Sequence, residues 1–399
     1  MRVLFLTPYY RPAHLGGIER VVERLAAALA RQSGMERPAL LCTRYAFPPR
    51  YVPGLAAREV LGGLEVFRLA NWPHTPAPLF PYYSCPVTIF SSGEVGRVLR
   101  AYRPDVVHIV GDGWIWAHLA VLARRDRRTA VVFTPSFHDL GGSRAWMRWP
   151  YTFVCRHVER IVVLSRVEYR AVAQAYRPRR SDLAIVPWGA TIPEHGPDGP
   201  DSRREDRGDK PLILLCVGRL GQHKGQSWLL DVYLRARPQF RRAARLVLVG
   251  ADEGDEGGRV ALERRIAAWG LGDEVALAGE VGDEELGDLY DAADLFVLFS
   301  RYEAFGLVYV EAMAHGVPVL SHAVGATAEV LARGGVVVPP YDAAAAVDAL
   351  VRLVNDDARR RRLGDDARAF VSRTYSWDVV AARYRRIYEE AIDERRGRG

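Results

Sequence analysis

The stretch Leu212-Ile-Leu-Leu-Cys-Val217, followed by Gly218-Arg219-Leu220-Gly221-Gln222-His223-Lys224-Gly225, decides the fold. Six apolar residues without polar alternation read as a strand covered on both faces, as in parallel sheets flanked by helices. The glycine-rich loop falls at the carboxyl end of that strand, where open α/β sheets bind ligands. Arg219 and Lys224, five residues apart on this loop, form a clamp for a diphosphate, one a planar fork and the other a compact ammonium. If the bound group departs as a nucleoside diphosphate, such a clamp stabilises the charge that grows on it. Taken alone, the loop also reads as a solvated basic turn. Only two lysines, Lys210 and Lys224, stand among 55 basic residues, so a lysine inside a motif points to a need for an ammonium.

Outward from this strand, short apolar runs alternate with amphipathic segments. On the carboxyl side, strands are expected at Arg245–Val249, Val275–Ala278, Leu295–Phe299, Val317–Ser321 and Val336–Val338. Helices are expected at Gln226–Ala236, Gly258–Ala268, Asp283–Ala292, Leu307–His315 and Ala343–Val354. On the amino side, strands fit Val3–Leu6, Ala39–Thr43, Val66–Leu69, Val106–Val110, Ala130–Thr134, Arg160–Leu164 and Leu183–Val186. Helices there fit Glu19–Arg31, Glu94–Ala101, Trp114–Arg125 and Arg166–Ala175. This alternation is the pattern of doubly wound parallel sheets. Residues 191–210 are rich in proline, glycine and charge and read as a linker. The expected organisation is therefore an amino-terminal domain over 1–190, a carboxyl-terminal domain over 211–375, and a final helix and tail over 376–399. Two such domains facing each other create a cleft at the carboxyl ends of their strands.

Length and composition bound the possibilities. The 399 residues, 49% apolar and 26% charged, exclude disordered, collagen-like and disulfide-framework classes. Cys42, Cys85, Cys155 and Cys216 lie far apart with no C-x-x-C pair, so they read as reduced, mostly buried thiols rather than a metal or redox site. The sequence has neither an 18-residue apolar run nor a secretory leader pattern, and a cytoplasmic location is expected. The net charge of +7 is unevenly spread: residues 1–188 hold 26 basic and 13 acidic side chains, and the remainder 29 and 35. The basic half also carries six of the nine tryptophans. This reads either as affinity for an anionic partner such as a membrane face or as the mark of an arginine-rich composition.

Two further segments carry chemistry. After Val3–Leu6 comes a loop with Gly16-Gly17, then Ile18-Glu19-Arg20 opening a helix. Paired glycines at a helix N-terminus let backbone amides approach a phosphate, although such a pair taken alone reads as a tight turn. After Leu295–Phe299 comes Ser300-Arg-Tyr-Glu303-Ala-Phe305-Gly306-Leu307-Val-Tyr-Val-Glu311-Ala-Met-Ala-His-Gly316. Glu303 precedes the helix and Glu311 lies one to two turns inside it, so the carboxylates can face different parts of one ligand. The Phe305–Leu307 amides at the helix start suit a phosphate or sugar hydroxyls. A capped helix with a surface carboxylate fits poorly beside the apolar Val308, Val310 and Ala312. A dinucleotide oxidoreductase is disfavoured because no G-x-G-x-x-G follows a strand with an acidic residue about twenty positions on.

These pieces together resemble the retaining glycosyltransferases of the GT-B fold, family 4. They are Gly16-Gly17-Ile18-Glu19, Ser165 after Ile161–Leu164, Gly218-Arg219 with Lys224-Gly225, and Gly250 closing a Leu-Val-Leu-Val strand. Glu303 and Glu311 flanking Phe305-Gly306-Leu307, the run to Pro318, and Gly325 with Glu329 complete the likeness, which spans nearly the whole chain. The resemblance implies two Rossmann-like domains across a cleft, with the last helix crossing back to the first. It implies that a hexose passes with retention from a nucleotide-diphosphate sugar to a hydroxyl of a glycan, lipid-linked glycan or small molecule, without metal or other cofactor. By the same resemblance, Arg219 and Lys224 hold the diphosphate, Glu311 the ribose, and Glu303 with Phe305, Gly306 and Leu307 the donor sugar. Gly16, Gly17, Ser165, Gly218 and Gly250 complete the binding set, and His138, in Thr134-Pro-Ser-Phe-His138, contacts the sugar on the acceptor side. Departures from the family pattern are Ser136, Trp188 and Ala326, none of them a diphosphate ligand. A non-catalytic relative serving as a glycan-binding or scaffold subunit is the alternative, and the retained charged residues argue against it. Nucleic acid is not an expected partner. The aromatic and basic stretches 72–90 and 144–154 read as acceptor or membrane contacts, or as ordinary packing.

Overall fold

The computed structural model describes residues 1–12, 16–46, 50–69, 92–111, 115–136, 148–179, 182–194 and 210–397. His138, the stretch 72–90, residues 144–147 and most of the linker lie outside the described residues. The chain divides into two compact units, Met1–Gly189 with Trp377–Gly399, and Ala190–Ser376.

The first unit contains β1 (Val3–Leu6), β2 (Ala39–Cys42), β3 (Tyr45–Ala46), β4 (Arg50–Tyr51), β5 (Arg58–Leu61), β6 (Leu64–Arg68), β7 (Val106–Val110), β8 (Ala130–Thr134), β9 (Arg160–Val163) and β10 (Leu183–Ile185). Eight of these form one sheet in the order β10-β9-β8-β7-β1-β2-β6-β5, while β3 and β4 pair separately. Every neighbour pair in the large sheet is parallel except the β5–β6 hairpin. β1, β2, β7 and β8 are wholly buried, as nearly continuous apolar runs require when both faces are covered. The chain order reverses on either side of β1, so the loops leaving β1 and β7 flank the switch point of this sheet.

The helix Trp377–Gly397 belongs to this unit although it closes the chain. Its buried face docks through His108, whose Nδ1 lies 2.7 Å from the Tyr388 hydroxyl and whose Nε2 lies 2.8 Å from Thr134 Oγ1. Burial holds the His108 imidazole neutral by pulling its pKa down to about 3. At the rim, Arg160 pairs with Glu390 and Glu394. The crossover of the last helix expected from the sequence is thus present.

The second unit contains β11 (Leu212–Val217), β12 (Ala244–Val249), β13 (Val275–Gly279), β14 (Leu295–Leu298), β15 (Val319–His322) and β16 (Gly335–Val338). All pair in parallel, in the order β13-β12-β11-β14-β15-β16. This is the doubly wound order with its switch point between β11 and β14. The loops singled out in the sequence, 218–225 and 299–306, leave those two strands. The helix Asp357–Thr374, absent from the sequence reading, packs beside Leu307–Ala314. Gly364 permits the contact: a Cβ there would lie 2.2 Å from the Gly316 carbonyl oxygen.

Candidate active site at the β11–β14 switch point

Gly218 continues the β11–β12 ladder, its amide donating to the Val249 carbonyl at 2.9 Å. Gln222–Lys224 form a single tight turn, and Gly225 (φ +70°) then starts the helix Gln226–Ala236. At Gly225 a side chain is excluded twice, by the left-handed backbone and because a Cβ would sit 2.0 Å from the Phe299 carbonyl oxygen. The Arg301 amide donates to the His223 carbonyl at 2.8 Å, and Gln226 Nε2 reaches the carbonyls of Gly218 and Arg219. The loops of β11 and β14 are thereby fastened to each other.

Across that seam Lys224 Nζ meets Glu303 Oε1 at 2.7 Å, and the Ser300 hydroxyl donates to the same oxygen at 2.8 Å. The Lys224 and Glu303 side chains are 19% and 9% exposed, so solvent screens the pair only weakly and removing one partner strands the other. The Glu303 carbonyl accepts from the Ala326 amide at 2.9 Å, which holds the loop from the β15 side. Beneath, burial raises the Cys216 thiol to about 12 against the pull of Lys224, which keeps it protonated and inert.

Arg219 is half exposed and engages Glu253 at 2.5 Å, and the other carboxylate oxygen of Glu253 contacts His223 Nδ1 at 2.8 Å. Burial lowers the pKa of His223, with Lys224 and Arg219 acting the same way and Glu253 and Glu303 opposing. On the far side of the seam, Gly306 caps Leu307–Ala314, with Phe305 buried and Leu307 half-buried at the helix start. Glu311 is half-buried, and Tyr290 donates to its Oε2 at 3.1 Å. Arg219, Lys224, Glu303, Phe305, Gly306, Leu307 and Glu311 all lie on the two loops and the one helix that leave β11 and β14.

Other residues singled out in the sequence sit elsewhere or are already engaged. Gly250 (φ +149°) lets the end of β12 pass the Gly218 carbonyl, which a Cβ would meet at 2.2 Å. Ser165 caps Arg166–Tyr176 by accepting from the Glu168 amide, and Glu168 in turn accepts from the Leu164 amide. In the first unit Gly16 caps the helix that begins at Gly17, and its amide donates to Glu19 at 2.9 Å. Ser136 and Ala326 are buried, and Trp188 nearly so. Sequence reasoning overlooked Glu253, Ser300 and His322, whose Nε2 donates to the Ser300 carbonyl at 2.6 Å. The acidic run Asp252–Glu256 just beyond Gly250 was the available signal for Glu253. Among the described residues, no group of three or more His, Cys, Asp or Glu side chains could hold a metal ion, and no helix is long and apolar enough to cross a membrane.

Two family descriptions match the sequence: Glycosyltransferase Family 4 over residues 15–192 and Glycosyl transferases group 1 over residues 200–370. D-inositol 3-phosphate glycosyltransferase of Xylanimonas cellulosilytica is 34% identical over 249 residues, covering 60% of this chain and 58% of the relative. The match thus spans little more than half of that relative's length. Sucrose-phosphate synthase from Thermosynechococcus elongatus superposes with a TM-score of 0.74 at 22% identity, over 98% of this chain and 99% of that one. Anabaena HepE in complex with UDP-glucose superposes with a TM-score of 0.70 at 21% identity, over 98% of both chains.

Proposed function

Because the chain belongs to the GT-B glycosyltransferases of the group 1/family 4 type, we propose that it transfers a hexose from a nucleoside-diphosphate sugar to an acceptor hydroxyl with retention of anomeric configuration and without a metal. The observation that carries this reading is the meeting of Lys224 and Glu303 across the seam between the β11 and β14 loops, with Arg219 on the same loop. An ammonium already fixed by a carboxylate needs little reorganisation when a diphosphate arrives, and preorganised charge is the main source of transition-state stabilisation at such sites. Arg219 and Lys224 hold the diphosphate, Glu303 and the Phe305–Leu307 amides the sugar, and Glu311 the ribose. The UDP-glucose complex of the Anabaena relative supports a nucleotide-sugar donor. The acceptor hydroxyl belongs to a glycan, a lipid-linked glycan or a small molecule.

A thermal-shift screen with UDP, GDP and ADP tests the donor half of this reading. A ligand at about 100 times its Kd adds about 2.7 kcal/mol of stability, so one nucleotide should raise the melting temperature clearly, and no response to all three would overturn the reading. NMR of the product anomer formed from the matching sugar nucleotide tests retention.

The surface helix Arg148–His157 favours a second feature of this reading. Trp149 is 76% and Phe153 40% exposed, one turn apart on a face that also shows Arg156. Exposed aromatics beside cations suit the interface of an anionic membrane. Flotation with phosphatidylglycerol vesicles should carry the protein upward and fail for a Trp149→Ala/Phe153→Ala variant. Equal flotation of the two would discard the membrane contact.

A further inference from the structure

The Glu253 carboxylate is paired with Arg219, and nothing in the proposed reaction uses it. Its placement is built into the fold. The loop after β12 zips onto the loop after β11: the Leu220 amide donates to the Ala251 carbonyl at 2.7 Å, and the Glu253 amide donates to the Leu220 carbonyl at 3.0 Å. The Asp255 carboxylate accepts from the Gln222 and Gly257 amides. Glu253 lies close over Gly221, where a Cβ would come within 2.2 Å of its Oε2. From there one carboxylate oxygen takes Arg219 and the other His223.

We propose that Glu253 is an internal stand-in for the donor's diphosphate, exchanged off Arg219 when donor binds and retained by His223, so that it sets the affinity of the site for diphosphates. The inference rests on the reading of Arg219 as a diphosphate ligand. Two carboxylate oxygens with two different partners make the exchange feasible, since Glu253 keeps a hydrogen bond after Arg219 leaves. Arg219 is 47% exposed, so its bond to Glu253 is screened and weak enough to be given up. A carboxylate this near an incoming polyanion also repels it, so neutralising Glu253 removes both a competitor and a like charge.

The exchange has a proton signature. The charged groups around His223 are Glu253 from the β12 loop, Arg219 and Lys224 from its own loop, and Glu303 from the β14 loop. Asp255 binds the adjacent Gln222 amide, and Arg301 donates its amide to the His223 carbonyl. Bringing a diphosphate to Arg219 and Lys224 adds negative charge beside an imidazole whose burial favours the neutral form. Binding should therefore take up a fraction of a proton, and affinity should fall as pH rises through the imidazole titration.

The test is isothermal titration of wild type, Glu253→Gln, Arg219→Ala and Arg219→Ala/Glu253→Gln proteins with UDP, GDP, ADP and inorganic pyrophosphate. The Gln variant retains size and hydrogen bonding, and a melting curve checks its fold. The expected result is a Kd three- to tenfold lower for Glu253→Gln, with the gain abolished in the Arg219→Ala background. For wild type, titrations in Pipes and Tris buffers, neither a phosphate, should differ by the heat of net proton uptake. A wild type that binds none of the probes overturns the donor reading and this inference with it. Wild-type binding with an equal or higher Kd for Glu253→Gln overturns this inference alone, as does a gain that survives without Arg219.

Discussion

The two units use the same backbone device for different ends. Each places its first strand, β1 or β11, at the point where the order of a doubly wound sheet reverses, and each follows that strand with a glycine-bearing loop and a helix. In the second unit the loop carries Arg219 and Lys224, and carboxylates from the neighbouring loops meet both cations. In the first unit the charged group at the start of the helix is Glu19, 4% exposed. It accepts from the Gly16 amide, and burial raises its pKa to about 7 despite that bond. A parallel sheet thus supplies the same place at both switch points, and the side chains planted there differ: paired cations in the second unit, a buried carboxyl with a raised pKa in the first.

If the charged seam of the second unit is catalytic, Lys224→Ala should have the largest effect. Loss of one preorganised donor to a developing negative charge costs about 3 kcal/mol, or roughly 10² to 10³ in kcat, and the stranded Glu303 adds to the loss. Steady-state rates with the nucleotide sugar identified by the thermal screen check this, and a change below tenfold would break the contrast between the units. Gly225→Ala should come next. It forces a left-handed alanine against the Phe299 carbonyl, costing about 2–3 kcal/mol of stability. Thermal melting should show a fall of several degrees.

Much of this architecture was legible in the sequence because its strands are buried on both faces. Val3–Leu6, Val106–Val110, Ala130–Thr134 and Leu212–Val217 appear with the expected bounds, since a strand wholly inside the sheet is apolar at nearly every position and stands out from its polar flanks. What escaped notice lacked such a pattern. Asp357–Thr374 opens on Asp-Ala-Arg-Arg-Arg-Arg, with no apolar stripe, and its stability comes from the Asp356 cap and from packing at Gly364. The edge strand Arg58–Leu61 alternates exposed and half-buried residues and exists as the hairpin partner of β6. In the site, the cations and carboxylates of single loops could be read from their spacing. The pairings of Arg219 with Glu253 and of Lys224 with Glu303 depend on how loops from different strands meet, which no spacing encodes.

The Glu19 carboxyl sharpens the comparison in the opposite sense from Lys224. Its pKa is raised on folding, so the folded state binds more protons and stability falls as pH rises from about 4.5 to about 7. Glu19→Gln removes this titration while keeping an acceptor for the Gly16 amide. Chemical denaturation at pH 5 and pH 8 should show the wild type losing about 1–3 kcal/mol relative to Glu19→Gln over that interval. Parallel pH profiles for the two proteins would mean that the first loop is as open to water as the second.

The smallest effect is expected at Tyr290, whose hydroxyl donates to Glu311 and whose ring stacks on His315 with centroids 5.3 Å apart. Tyr290→Phe keeps the ring and deletes one hydrogen bond to a carboxylate, a change of about 1 kcal/mol in stability. If Glu311 binds the ribose in ground and transition states alike, loss of this hydrogen bond shifts binding without touching the chemical step. KM for the donor should then rise a few-fold at constant kcat. A fall in kcat with KM unchanged would instead place Glu311 against the departing charge, and the second unit's site would extend one helical turn deeper than the Lys224–Glu303 seam.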